Sequence, residues 1–170
     1  MRDDHPDYGA LEIGNYILGG GALSSRLGDR VRQQEGLSYS VGSGLTSHPI
    51  DERTNLTIFA ITNPENRDRL VAVINEEIAR LMQDGITASE LEKAQQGYLQ
   101  SEQLERTQDS TLTSLLAQSL FAGRTMQYYT QLESRIAKLD IAAVNAALRK
   151  HIDPARLVVF TAGDFAESKK

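Results

Sequence analysis

Two β-rich stretches stand back to back near the front of this chain, and a long run of helical periods follows them. In Leu37–Leu45, the residues Leu37, Tyr39, Val41, Ser43 and Leu45 alternate to one side, as in a half-buried strand. After a turn containing Pro49 and Asp51, Thr54–Thr62 is rich in β-branched residues. Leu56, Ile58 and Ala60 share one face, and Thr57, Phe59 and Ile61 share the other, which predicts a central strand. Neighbouring strands followed by helices specify an α+β architecture, because an alternating parallel fold would interleave them. The expectation is an antiparallel sheet with one layer of helices packed on one face.

The helical pattern is readable in detail. Tyr8–Leu18 places Ala10, Ile13 and Ile17 on one side, and Gly19-Gly20-Gly21 follows as a stop, expected to use the left-handed conformations open to glycine. Ser24 or Ser25 caps a short second helix through Val31. Asn63-Pro64-Glu65 opens a helix whose stripe is Leu70, Ile74, Ile78 and Leu81, closed by Gly85. Thr87-Ala88-Ser89-Glu90 is a capping box before a long helix to about Arg106. Asp109 or Ser110 starts the next, with Leu112, Leu115, Leu116 and Leu120. Thr125 starts another, with Tyr129, Leu132, Ile136 and Leu139, and Asp140 caps the last, with Val144 and Leu148. Leu157–Phe160 reads as a short buried final strand before Gly163-Asp164.

At 170 residues the chain is expected to form a single domain over 1–170, large enough for a core without staples. Its net charge of -5 and lack of any basic run argue against a nucleic-acid partner. The absence of cysteine removes disulfides and thiolate metal sites, and suits cytoplasm and periplasm alike. No apolar run reaches membrane-spanning length. The stretch Met1–Asp7 is polar and acidic rather than leader-like, and Ser168-Lys169-Lys170 reads as a solvated tail.

Chemistry-bearing motifs are few. His5, His48 and His151 are far apart and form neither His-Glu-x-x-His nor His-x-x-Glu-His, so they read as surface or turn histidines and no metal is expected on this chain. Gly42-Ser43-Gly44 lies inside a strand, not at the strand-to-helix elbow of a serine nucleophile. Gly19-Gly20-Gly21 follows a helix and lacks the Gly-Lys-Ser/Thr ending of a phosphate loop. Arg32 and Tyr39 remain, framing the junction between the second helix and the first strand. A guanidinium can hold a carboxylate or peptide carbonyls in fixed geometry. A phenol can donate to a carbonyl oxygen that gains charge in a transition state. Neither group can attack a substrate, and without a partner an exposed arginine and a core tyrosine would explain them.

Leu18-Gly19-Gly20-Gly21, Ser25-Arg26-Leu27, Val31-Arg32 and Gly36-Leu37-Ser38-Tyr39-Ser40-Val41 resemble the C-terminal half of the pitrilysin-type zinc peptidases. That family includes insulysin, the mitochondrial processing peptidase and many bacterial relatives. The resemblance continues in order through Thr62-Asn63-Pro64-Glu65-Asn66, Asp84-Gly85-Ile86-Thr87, Glu90-Leu91, Lys93-Ala94 and Gly163-Asp164, covering nearly the whole chain. It implies a pair of α+β halves enclosing a cavity, with zinc on the homologous half or partner subunit and none on this one. It further implies that Arg32 and Tyr39 bind peptide opposite that zinc, with Tyr39 as transition-state hydrogen-bond donor in the complete enzyme. Gly19, Gly20 and Gly21 resemble, more loosely, a segment that handles substrate in the processing peptidases.

The family's half begins with a strand ahead of its first helix. Here the first helix starts within ten residues of Met1, so that strand is expected to be missing and the chain to be part of a longer one. A sheet without it would expose an edge able to pair with another copy, giving a homodimer. Two rival readings stay open: a non-catalytic scaffold or assembly domain of the same fold, and a stand-alone enzyme with a cryptic metal site.

Overall fold

The computed structural model describes residues 1–164. Its sheet is built from β1 (Ser40–Ser47) and β2 (Thr54–Ile61), antiparallel and in register from Ser40 opposite Ile61 to Ser47 opposite Thr54. The helices are α1 (Tyr8–Asn15), α2 (Arg67–Asp84), α3 (Ala88–Glu105), α4 (Asp109–Phe121), α5 (Gln127–Ile136) and α6 (Ile141–His151). Helices thus cover one face of an antiparallel sheet, the α+β arrangement that the order of elements dictates.

Most helix boundaries follow from local chemistry. The capping box is present: Thr87 Oγ1 accepts from the Glu90 backbone N–H, and the Glu90 carboxylate accepts from that of Thr87. Asp140 Oδ1 accepts from Ala143 N at 2.8 Å at the start of α6. The Asn63-Pro64 start differs in form, since Pro64–Asn66 is a 3-10 turn and α2 begins after it. α2 ends at Gly85 with φ +75°, a left-handed position that a Cβ would strain, and Asn145 packs over it while accepting from Ile86 N.

The core gathers Ile13, Leu18, Leu27, Val31, Leu81 and Ile136 with their buried neighbours from α2 and α6. α1 lies across α5 and α6, and Gly14 permits the approach: a Cβ there would stand 2.6 Å from Leu148 Cδ2. From its other end α1 reaches the sheet, where buried Ser43 donates to Asn15 Oδ1 at 2.7 Å.

Four expectations need correction. Thr57, Phe59 and Ile61 face away from the helices and are exposed, so β2 is a one-sided strand rather than a central one. No described residue pairs with its outer edge. Leu157–Phe160 forms no ladder and is not buried; Phe160 is 91% exposed. This stretch and Asn55–Ile58 of β2 line a common groove of about 550 Å³ instead of pairing. On α4, Leu116, Leu120 and Phe121 are exposed, and the expected stripe does not enter the core. Lastly, Tyr39 precedes β1 and points to solvent, away from the core face shared by Val41, Ser43 and Leu45.

No helix among the described residues is long and apolar enough to cross a membrane.

Candidate functional site

The segment between α1 and β1 is built from widened helical turns. The chain leaves α1 through a π-helical turn, Tyr16–Gly20, closed by Gly21 N–H donating to Tyr16 O at 2.8 Å. Gly19, Gly20 and Gly21 therefore end a helix, as expected, but not by left-handed geometry; none has positive φ. They are needed for close approach. A Cβ on Gly19 would stand 2.6 Å from Ser43 N of β1, and one on Gly21 would meet the Tyr16 ring at 2.9 Å. The next residue, Ala22, has φ +51°, a left-handed conformation unusual outside glycine. Its carbonyl accepts from Ser25 Oγ at 2.6 Å, and Ser25 Oγ accepts from Gly28 N, capping the second helical stretch as its sequence position implies.

That stretch continues as a second π-helical turn, Gly28–Gln34, three residues beyond the expected end at Val31. Gly36, at φ +60°, turns the chain, and Leu37 N–H returns to Val31 O at 2.9 Å. Ser38 then locks the approach to β1. It is buried, and its hydroxyl lies 2.8 Å from Ser40 O and 2.6 Å from Ile61 O. Thr62 Oγ1 donates to Leu37 O from the other side at 2.6 Å. Sequence patterning did not mark Ser38, because a serine in a strand-like alternation carries no signal of its anchoring role.

These anchors bring Arg32 and Tyr39 together. The Arg32 guanidinium carbon lies 4.4 Å from the centroid of the Tyr39 ring, a cation–π contact that orients both. Tyr39 is 83% exposed. Among the described residues, neither the Tyr39 hydroxyl nor the Arg32 guanidinium has a hydrogen-bond or ion-pair partner. The Glu35 carboxylate, three positions after Arg32, is engaged elsewhere. Glu35 takes a two-pronged pair from Arg69, with contacts of 3.1 and 2.5 Å, and a further one from Arg30 at 2.9 Å. The Arg69 hydrogen bond holds the Glu35 carboxyl below its ordinary range. Half-buried Arg32 thus keeps its charge unpaired among the described residues, beside an exposed aromatic donor.

Arg26, of the Ser25-Arg26-Leu27 motif, behaves differently. It bonds Glu90 through Nε at 2.7 Å and through its terminal nitrogen at 3.0 Å, and donates to Gly85 O at 2.7 Å. Burial pushes the Glu90 carboxyl up, but the bonds from Arg26 and the Thr87 backbone outweigh it and hold the group below its ordinary value. This arginine staples the start of α3 to the segment ahead of β1.

Among the described residues, the Arg32–Tyr39 pair is not part of any histidine or carboxylate group able to ligate zinc. The histidines, scattered in sequence, are less so in space. His5 and His151 meet edge-on, with ring centroids 5.4 Å apart, and Asp7 joins them. His48 instead closes its own loop, accepting from Asp51 N at 2.8 Å.

Against known proteins, a family model described as the peptidase M16 inactive domain matches residues 1–98. An uncharacterized zinc protease from Bacillus subtilis is 40% identical over 86 residues, covering 51% of this chain and 20% of the relative. A protein from Helicobacter pylori named a non-peptidase homolog is 24% identical over 153 residues, covering 90% of this chain and 35% of the relative. A crystal structure of a peptidase M16 inactive domain from Pseudomonas fluorescens superposes with a TM-score of 0.78 at 28% identity, covering 91% of this chain and 36% of that one. The chain therefore spans about a third or less of the length of each of these relatives.

Proposed function

The chain belongs to the peptidase M16 inactive-domain family, a non-catalytic domain of the zinc-protease kind, and on that premise we propose that it holds peptide substrate opposite a zinc site carried by a homologous half. One observation supports this reading most: Arg32 and Tyr39 are stacked on each other, anchored from beneath by Ser38, and turned outward with their donors unused. A scaffold has no need of an exposed tyrosine fixed in this way.

The roles follow from the chemistry of each group. The planar Arg32 fork suits two acceptors at once, so it binds a peptide carboxylate or successive backbone carbonyls and sets their position. Its stacking on Tyr39 restricts both side chains before substrate arrives, which lowers the ordering cost of binding. The Tyr39 hydroxyl donates to the carbonyl oxygen under attack, where negative charge grows in the transition state. Zinc, when bound on the other half, supplies the activated water. The exposed loop after Gly19–Gly21, with strained Ala22 at its tip and Leu23 half-exposed, adds a second surface for peptide.

The test joins this chain with its zinc-bearing half, in one parent chain or as a partner subunit, and follows cleavage of a quenched fluorescent peptide. Tyr39→Phe is expected to cut turnover by about 10–1,000-fold, the range for loss of an oxyanion donor, with the melting temperature unchanged. Unchanged turnover would overturn the assignment. The Helicobacter relative named a non-peptidase homolog favours a second reading, in which the same fold serves assembly alone. That reading requires no cleavage by any combination of this chain and a zinc-bearing homologue.

A further inference from the structure

Three ligand-type side chains from opposite ends of the sequence converge where the segment before α1 meets the end of α6. The Asp7 carboxylate is the centre. Its Oδ2 lies 2.8 Å from His151 Nε2 and 3.9 Å from His5 Nδ1. One ligand atom from each of His5, Asp7 and His151 lies within 4.8 Å of the other two. Tetrahedral coordination at metal–ligand lengths of about 2.0–2.1 Å sets neighbouring ligand atoms about 3.3 Å apart. The two measured separations fall on either side of that value, so small side-chain rotations close the set.

The arrangement is organised, not a chance crowding of flexible groups. His5 Nδ1 accepts from the Asp7 backbone N–H at 3.1 Å, a bond that ligation through this nitrogen would replace, and the edge-on contact sets His5 against His151. The three side chains are between 22% and 33% exposed, open enough for an ion to enter and closed enough to hold it. Both backbone carriers are fixed, because α1 packs on α6. One further group faces the carboxylate: Lys150 Nζ, 2.8 Å from Asp7 Oδ2. This ammonium occupies the position a cation would take, so it competes with a metal.

We propose that His5, Asp7 and His151 form a binding site for a divalent transition-metal ion of the zinc type, which displaces Lys150 and clamps the segment before α1 to the end of α6. Two imidazoles and one carboxylate suit zinc, cobalt and nickel over calcium or magnesium. Three protein ligands leave a fourth position for water. The site is separate from the Arg32–Tyr39 surface and stands or falls independently of it.

The experiment titrates the untagged chain with zinc by calorimetry, and with cobalt while recording the visible spectrum. One ion per chain is expected, with a rise in melting temperature as the folded state is selectively bound and the visible bands of a four-coordinate cobalt site. His5→Ala and His151→Ala should each weaken binding at least tenfold, in line with losses on disturbing metal-site groups. His48→Ala, which alters a histidine outside the cluster, should leave binding unchanged. Lys150→Gln should tighten it severalfold by removing the competitor. Metal-free circular dichroism of each variant confirms its fold. Absence of stoichiometric uptake by the unaltered chain overturns the proposal, as does undiminished uptake by folded His5→Ala and His151→Ala.

Discussion

Arg26 and Arg32 belong to one short stretch, six positions apart, and the fold treats them in opposite ways. Arg26 is largely buried and satisfied, with its side chain 16% exposed and bonded to Glu90 and Gly85 O. Arg32 is half-buried and stacked on an exposed ring, and among the described residues its donors have no partner. The same side chain is structural where its donors are satisfied within the fold and functional where they are not. Burial explains the division. A buried cation left without its carboxylate would be costly, so Arg26 must be paired. A cation at the surface loses little by waiting for a ligand.

The comparison breaks most visibly at Arg26. Arg26→Ala leaves Glu90 partly buried without its cation and strips a bond from Gly85 O. A loss of roughly 2–4 kcal/mol is expected, slightly under the range for breaking a fully buried pair, read as a lowered urea midpoint. Peptide cleavage by the folded variant in the complete enzyme should persist. Arg32→Ala is the converse. It should lower kcat/KM by about 10–100-fold, mainly through KM, as expected on losing charged hydrogen bonds to substrate. Its urea midpoint should not move. If both variants lose stability and neither loses cleavage selectively, the division between them fails.

Glu12 sharpens the comparison from the acidic side. Burial raises its carboxyl to about 7, partly offset by a hydrogen bond from Tyr8 and reinforced by Glu102. The folded value lies above the ordinary 4.5, so between these values the folded chain holds a proton that the unfolded chain has released. Its contribution to stability is therefore complete below about 4.5 and is lost as pH rises through 7. Glu12→Gln should stabilise the chain by roughly 1–3 kcal/mol at pH 8 and by little at pH 4. Thermal melts of both proteins across that range make the check.

Much of the fold was legible because its determinants are local. Thr87 with Glu90, and Asp140 with Ala143, are neighbours within one helical turn, so the residues alone mark where α3 and α6 begin. The order of two strands before five helices was enough for the α+β class. Arg32 and Tyr39 were found through motif resemblance, with spacing adding little. Their contact depends on Gly36 turning the chain and on Ser38 reaching Ile61 O across the sheet. Gly19–Gly21 were expected to stop a helix and do so, but through tight packing against β1 and Tyr16.

What the sequence determined by itself lies within a few residues of its cause: helical periods, caps, the paired strands and a chain without thiols. Tertiary structure alone decided which faces are covered. β2 has apolar residues on both sides, yet only one side meets helices. Val158, Val159 and Phe160 have the composition of a buried strand, yet lie across a groove from β2 with no ladder. His5 and His151 are separated by nearly the whole chain and meet only because α1 crosses α6. Periodicity registers how residues are spaced along one element. Burial and convergence depend on what other elements bring against it, which no local pattern records.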